Sequence, residues 1–350
     1  METGYQNEES MKTSMQHLFL NIIALISMVG CVSDHAGEQK EIMVQLPDLQ
    51  SVRLQKENDI LFQANSGEFD EALIVAGKLC VLNQNDKTLP YLGIADLNDT
   101  DSFRWYVGQG YGEGQMLMPS LGIGDEQMIL YDPTLKKVVL IDLSRICDPE
   151  YELTEKSTNI ISQRVVPYKD LLLYLNPASY GGPEASLLAS DMQWNAENEK
   201  WTSFFFNVMK GNIVFSLTEN TFAVVFKYSP RIEFYDKNQK KQVVLSFPHP
   251  DSPLMKIQEG GMDSYLFEKS VLCFPCSFGA ESCFVVDYYD EEKDNLLILD
   301  WSGRVLDAFR VQGKVKSCSI SKDGQTVYVW QQIDDRDYLC SYSVCADQDS

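Results

Sequence analysis

The sequence predicts an all-β chain, a six-bladed β-propeller preceded by an export signal. Three observations carry this: short strands with almost no helical periodicity, a strand–turn–strand unit that recurs along the chain, and one continuous apolar run close to the N-terminus.

The strand signal comes in runs of four to six residues, β-branched or aromatic, bounded by Asp, Asn, Gly or Pro. Clear instances are Glu41–Leu46, Leu79–Asn83, Gln127–Tyr131, Val138–Asp142, Leu171–Leu175, Ile213–Leu217, Phe222–Lys227, Ile232–Tyr235, Val243–Phe247, Cys283–Tyr288, Leu296–Leu299 and Val327–Gln331. After the leader, no stretch of twelve or more residues keeps an apolar repeat of 3.6.

The recurrent unit is an apolar strand ending in Asp or Asn, a few polar residues, and a second apolar strand. Asp132, Asp236 and Asp300 mark its clearest copies, and Asn83, Asn195 and Asp334 weaker ones. Asp and Asn suit the position because their side chains hydrogen-bond the backbone two residues on. The six turns recur about every 50 residues, against ~40–50 for a propeller blade, which predicts six blades. Two long intervals hold insertions, around Asn176–Pro183 and Tyr288–Asp294. After Gly313 only three strands are visible, Lys314–Ser321, Gln325–Gln331 and Tyr338–Val344, whereas a blade needs four. A strand near Glu41–Leu46 or Ser51–Gln55 is expected to supply the fourth and close the ring.

The apolar run, Leu18–Val29, follows a short basic segment with Lys12 and has the ~7–15 residue length of a secretory signal, too short to span ~30 Å of hydrocarbon. Glu2, Glu8 and Glu9 make the first ten residues acidic, so translation is expected to start at Met11. The run ends in Met28-Val29-Gly30-Cys31, which resembles the lipobox of bacterial lipoprotein precursors. That resemblance implies cleavage before Cys31 and acylation of Cys31, and two or three acyl chains on one residue make a durable tether. The expected organisation is a signal peptide over 1–30, a lipidated linker over 31–40, the propeller over 41–345 and a polar tail over 346–350.

Acids outnumber bases by 51 to 29, a net charge of −22. Nucleic acid is therefore an unsuitable partner, since its binding rests on Lys and Arg neutralising phosphates. Of three histidines, His17 lies in the leader and His35 in the linker, leaving His249. A multi-histidine metal site cannot be built, and a serine or cysteine triad would have to use that one ring. Gly108-Gln-Gly-Tyr-Gly112-Glu-Gly114 imitates a dinucleotide fingerprint but is followed by Pro119 rather than a helix, so it reads as a loop. Asp96–Asp101 lacks the Gly and Glu of a calcium loop. No metal or cofactor is expected. Beyond Cys31 there are eight irregularly spaced cysteines; reading Ser277–Ser282 as a hairpin loop sets Cys276 opposite Cys283, within reach of a bridge.

The order of these elements, the lipobox, and the Gly108–Gly114 segment running on to Pro119 resemble the TolB-like six-bladed β-propeller lipoproteins. The resemblance implies a cell-envelope location, outer membrane on its periplasmic or surface side, and a binding role for a protein partner or glycan. It brings no catalytic residue. Gly114 stands where that family has an aromatic. The two insertions are the expected contact surface, with Tyr180, Tyr288 and Tyr289 as amphipathic contacts and Asp290, Glu291, Glu292 and Asp294 as charge. The alternative is an envelope enzyme acting on carbohydrate or peptide through carboxylates at the channel mouth, one with a raised pKa.

Overall fold

The computed structural model describes residues 40–44, 53–124, 126–146, 148, 150–160, 162, 164–169, 171–176, 186–191, 211–216, 221–236, 241–248, 256–259, 262–265, 273–274, 276–290 and 293–344. The expected signal peptide, Cys31, Tyr180, Asn195, His249, Glu291, Glu292 and the expected tail lie outside them. Every described element is a strand, and no helix long and apolar enough to cross a membrane occurs among the described residues.

Two strands open the chain, β1 (Lys40–Met43) and β2 (Asp59–Asn65). A meander follows of β3 (Glu71–Val75), β4 (Lys78–Leu82), β5 (Leu92–Asp96) and β6 (Asp99–Tyr106). A two-residue parallel pair, β7 (Gly108–Gln109) with β8 (Gln115–Met116), closes the glycine loop. Next come β9 (Ser120–Ile123), β10 (Gln127–Asp132), β11 (Lys137–Asp142) and β12 (Thr154–Ser157) in one sheet, and β13 (Val165–Tyr168), β14 (Leu171–Asn176) and β15 (Ser186–Asp191) in another. The fourth meander is β16 (Gly211–Ser216), β17 (Thr221–Phe226), β18 (Arg231–Tyr235) and β19 (Lys241–Ser246), followed by a hairpin of β20 (Lys256–Glu259) and β21 (Met262–Tyr265). The chain ends in β22 (Ser277–Gly279), β23 (Cys283–Asp290), β24 (Lys293–Asp300) and β25 (Val305–Phe309), then β26 (Lys314–Ile320), β27 (Thr326–Ile333) and β28 (Arg336–Ser343).

Five of these sheets have four or more strands, and the β13–β15 sheet has three. This is an all-β propeller arrangement in which each sheet buries both faces against its neighbours. The core accordingly lies between consecutive sheets. Leu73, Cys80 and Leu92 meet Leu121, Leu130 and Val139; Phe234 and Leu245 meet Phe284 and Trp301; Val285 and Leu296 meet Cys318 and Val329. Burial on both faces explains why strands such as Lys78-Leu-Cys-Val-Leu82 are continuous apolar runs rather than alternating ones.

An early strand does complete the last sheet, but it is not one of the two segments expected to do so. The last sheet takes its fourth strand from β2, antiparallel to β28 with Phe62 opposite Leu339 and Ala64 opposite Asp337. Phe62 stacks on Trp330 at 5.9 Å, and Trp330, Leu339, Phe69 and Ala72 fill the seam with the first meander. On the innermost strands Ser317 Oγ donates to the Ala72 carbonyl at 2.9 Å, and the Ile74 N–H donates to Ser319 Oγ at 3.2 Å. Neither segment expected to close the ring does so. β1 lies on the free edge of β19, and Leu54 bridges Arg310 in parallel beside β25. β1, Arg53–Gln55 and β2 thus touch the outer edges of three successive sheets in turn. The physical reason is that β19, β25 and β28 each present an unpaired row of N–H and C=O groups, which any extended segment can satisfy.

The Asp and Asn turns form, but they are not equivalent. Asn83, Asp132 and Asp334 stand between the second and third strands of their sheets, whereas Asp236 and Asp300 stand between the third and fourth. Any hairpin wants the same turn chemistry, so the residue marks a hairpin without marking its rank. Asp300 shows the local work: its Oδ1 accepts from Ser302 N at 2.9 Å and Arg304 N at 2.9 Å. Asp132 reaches further, since Oδ1 caps its own turn at Thr134 N, 2.8 Å, while Oδ2 accepts from Leu117 N at 2.6 Å and so pins the glycine loop. In that loop Gly114 has φ +67, a left-handed conformation that suits glycine.

Candidate functional site

The innermost strands β3, β9, β13, β16, β22 and β26, one from each of the sheets with three or more strands, surround a central cavity of about 450 Å³. Its wall is mainly apolar, with Leu121, Ile123, Val166, Ile213, Phe215 and Phe278. Polar groups interrupt it at chosen points. Arg164 donates to the Leu121 carbonyl across the gap between β9 and β13. Asn212 Oδ1 and Ser277 Oγ are buried without a hydrogen-bond partner, which leaves the wall two unsatisfied groups.

The innermost strands finish in short turns, and these supply a polar rim of Glu126, Glu281 and Lys322 beside Ala76 and Gly77. Lys322 Nζ and Glu281 Oε1 pair at 3.3 Å across neighbouring sheets. Tyr328 lines the same region, its phenol pKa raised by burial and then by the charge of Asp323. Rim charge around an apolar wall is the ordinary make-up of a binding cleft.

Of the residues expected to form a contact surface, Tyr288, Tyr289, Asp290 and Asp294 are described, whereas Tyr180, Glu291 and Glu292 lie outside the described residues. Tyr288 and Tyr289 belong to β23, which pairs with β24 through Tyr288 opposite Asn295 and Asp290 opposite Lys293. The presumed insertion is a long hairpin of the sheet. Tyr288 is 1 % exposed, packs against Phe247 and Phe274, and donates its hydroxyl to the Pro248 carbonyl, so it is a core residue. Asp294 is partly buried and accepts from Val315 N at 2.8 Å, which fastens the hairpin to the next sheet. Burial raises its carboxyl pKa.

The hairpin is tighter than the sequence suggests and does not set Cys276 opposite Cys283. Gly279 pairs with Phe284 and Ser277 with Val286, so Cys283 faces Ala280 and Cys276 faces Asp287. Both thiols are free and buried. Cys276 Sγ instead lies 3.1 Å from Cys318 Sγ on β26.

Asp287 is the acid with the strongest perturbation. Burial, and then the charges of Cys276 and Asp294, hold its carboxyl well above the usual carboxylate range, and neither oxygen has a hydrogen-bond partner. It stands on β23, off the cavity wall, so it does not supply the channel-mouth acid that an enzymatic reading requires. The folded state holds this proton more tightly than the unfolded chain, so its stabilising contribution is full below about pH 4 and is lost as pH rises through the raised folded value. Urea midpoints measured from pH 4 to pH 8 should therefore fall more steeply for the wild type than for Asp287→Asn. Parallel curves would show that the carboxyl ionises freely in the fold.

The cavity residues escaped the sequence reading because the innermost strands carry little periodicity. The usable signal was glycine: Gly122 and Gly279 sit in strands where a Cβ would meet the backbone of the adjacent sheet.

No family model matches the chain, and no curated protein sequence matches it. Among solved structures it is similar to a protein from Bacteroides fragilis described as exported, at 11% identity and TM-score 0.47, over 88% of this chain and 99% of that one. It is also similar to the Pan2 WD40 domain of Neurospora crassa, at 11% identity and TM-score 0.43, over 79% and 76%. A third is the Cps50 (Swd1) β-propeller domain of Myceliophthora thermophila, at 10% identity and TM-score 0.43, over 81% and 99%. The likeness is one of fold.

Proposed function

We propose that the protein is a lipid-anchored, six-bladed β-propeller of the TolB-like kind, held in the cell envelope through Cys31, and that it works as a non-catalytic binding module for a protein partner or glycan. The observation that carries this reading is the central cavity of about 450 Å³, within the ~300–1,000 Å³ of ordinary ligand pockets, with an apolar wall and a charged rim. A blade count of six takes the β13–β15 sheet, with its three described strands, as a blade. The cavity supports that count, because β13 contributes Val166 to the wall in the same way as the first strand of each larger sheet.

The contact surface moves accordingly from the two insertions to the cavity rim. The apolar wall, with Phe215 and Phe278, favours an inserted apolar side chain of a protein partner over a wholly polar sugar. In-cell crosslinking, followed by mass spectrometry of what co-purifies, should recover one dominant partner with the wild type. Glu126→Arg combined with Lys322→Glu should lower that recovery roughly tenfold, the scale of losing about 1.4 kcal/mol at an interface, with folding unchanged. Equal recovery would place binding elsewhere, and turnover of the bound partner or glycan would replace this reading with the enzymatic one.

A further inference from the structure

Six buried thiols are described, and one thiol–thiol contact is seen among them, between Cys276 and Cys318. We propose that this pair is oxidised to a disulfide that staples the innermost strands of the two last sheets together in the wall of the central cavity. The sulfurs lie 3.1 Å apart, about 1 Å more than the ~2.05 Å of a bond, a closure that small rotations about the two Cα–Cβ bonds can supply. Cys276 directly precedes β22, and Cys318 lies within β26. Both are core residues, 8 % and 2 % exposed, and pack in one cluster with Val285, Val315 and Ile320. Both also line the cavity, which gives a small disulfide a route to them.

A second feature marks the place. Asp287, opposite Cys276 in the β22–β23 register, has no hydrogen-bond partner on either oxygen. An unpartnered acid beside two thiols is an expensive arrangement for a core, and converting the thiols to a disulfide removes two ionisable groups from it.

The chemistry balances as thiol–disulfide exchange with oxidised glutathione. Two S–H bonds break and one S–S bond forms between Cys276 and Cys318. The two electrons and two protons pass to glutathione, whose own S–S bond is cleaved to two thiols. The hydrogen bond to Cys318, and then burial, hold the Cys276 thiol well above its ordinary pKa, so exchange is slow once the fold is complete and fastest while the last sheets are docking.

The test is to refold the full chain in a glutathione redox buffer, block remaining thiols in denaturant, and map peptides without reduction. The expected result is a Cys276–Cys318 cross-linked peptide, and a melting temperature on the order of 5 °C above that of the same sample reduced, as the length of the closed loop suggests. A Cys276→Ser, Cys318→Ser double variant should melt at one temperature in either buffer, and Cys283→Ser should keep the shift. If all six described thiols are alkylated after oxidation, if the cross-link joins Cys276 to Cys273 or Cys283, or if reduction leaves the melting temperature unchanged, the proposal fails.

Discussion

A chain truncated to begin after Asn65 is expected to lose cooperative folding, whereas one truncated to begin at Arg53 should keep it. The first truncation strips β2 from β28 and leaves the last sheet with three strands and an open edge. It also removes Phe62 from its stack on Trp330, which is fully buried, and uncovers Leu339. Lost backbone pairing and an emptied aromatic contact together amount to roughly 5 kcal/mol or more, a large part of what holds a domain folded. Among the described residues, the second truncation removes β1 and Val44 with their bonds to the β19 edge, such as Ser246 Oγ to Glu41 at 2.7 Å, and retains the Arg53–Asp307 ion pair at 2.7 Å. Edge pairing together with the burial of Val44 is worth about 2–3 kcal/mol, well short of the loss from the first truncation. Urea denaturation followed by circular dichroism, with size-exclusion chromatography to detect association, separates the outcomes. Equal midpoints for the two truncations would show that β2 does not close the ring.

Gly122→Ala should be among the most damaging substitutions at the described glycines. Gly122 lies on β9 where a Cβ would sit 1.9 Å from the Val165 carbonyl oxygen and 2.8 Å from Ile129 Cγ1. The obstacle is backbone of the neighbouring innermost strand, β13, which cannot rotate away as a side chain can. Adding one methyl group must force two sheets apart beside the cavity, at a cost of about 3 kcal/mol or more. Gly77→Ala provides the contrast. Gly77 has φ +73 but nothing within 4 Å of the added atom, so it should cost only about 1 kcal/mol of backbone strain. Thermal or urea unfolding of both variants checks the pair, and equal losses would mean that the two sheets approach less closely at Gly122 than the fold requires.

The fold class was legible because both-face burial writes itself into the chain as short β-branched runs. Gln127–Asp132, Lys137–Asp142 and the three final strands fall where the residue pattern places them. What escaped was whatever depends on partners far along the chain. β2 offers a modest signal, Ile60, Phe62 and Ala64 alternating ahead of a turn at Gly67, but nothing local tells it to pair with Arg336–Ser343 rather than with its neighbours. Tyr288 misled for the same reason. A tyrosine pair followed by Asp-Glu-Glu-Lys looks like a surface loop until Phe247 and Phe274, from elsewhere in the chain, are seen to cover one of the rings. The cavity was least legible, since it is made by single residues from many strands.

The pairing of β2 with β28 also fixes a timetable. β2 leaves the ribosome well before Arg336–Ser343, so it has no partner until the intervening sheets have been synthesised. Until then its apolar residues wait in solvent, and pairing across so many intervening residues is intrinsically slow. For the envelope location proposed above, such a delay keeps the chain threadable while it crosses a membrane, and the fold becomes resistant to unfolding once β28 has arrived.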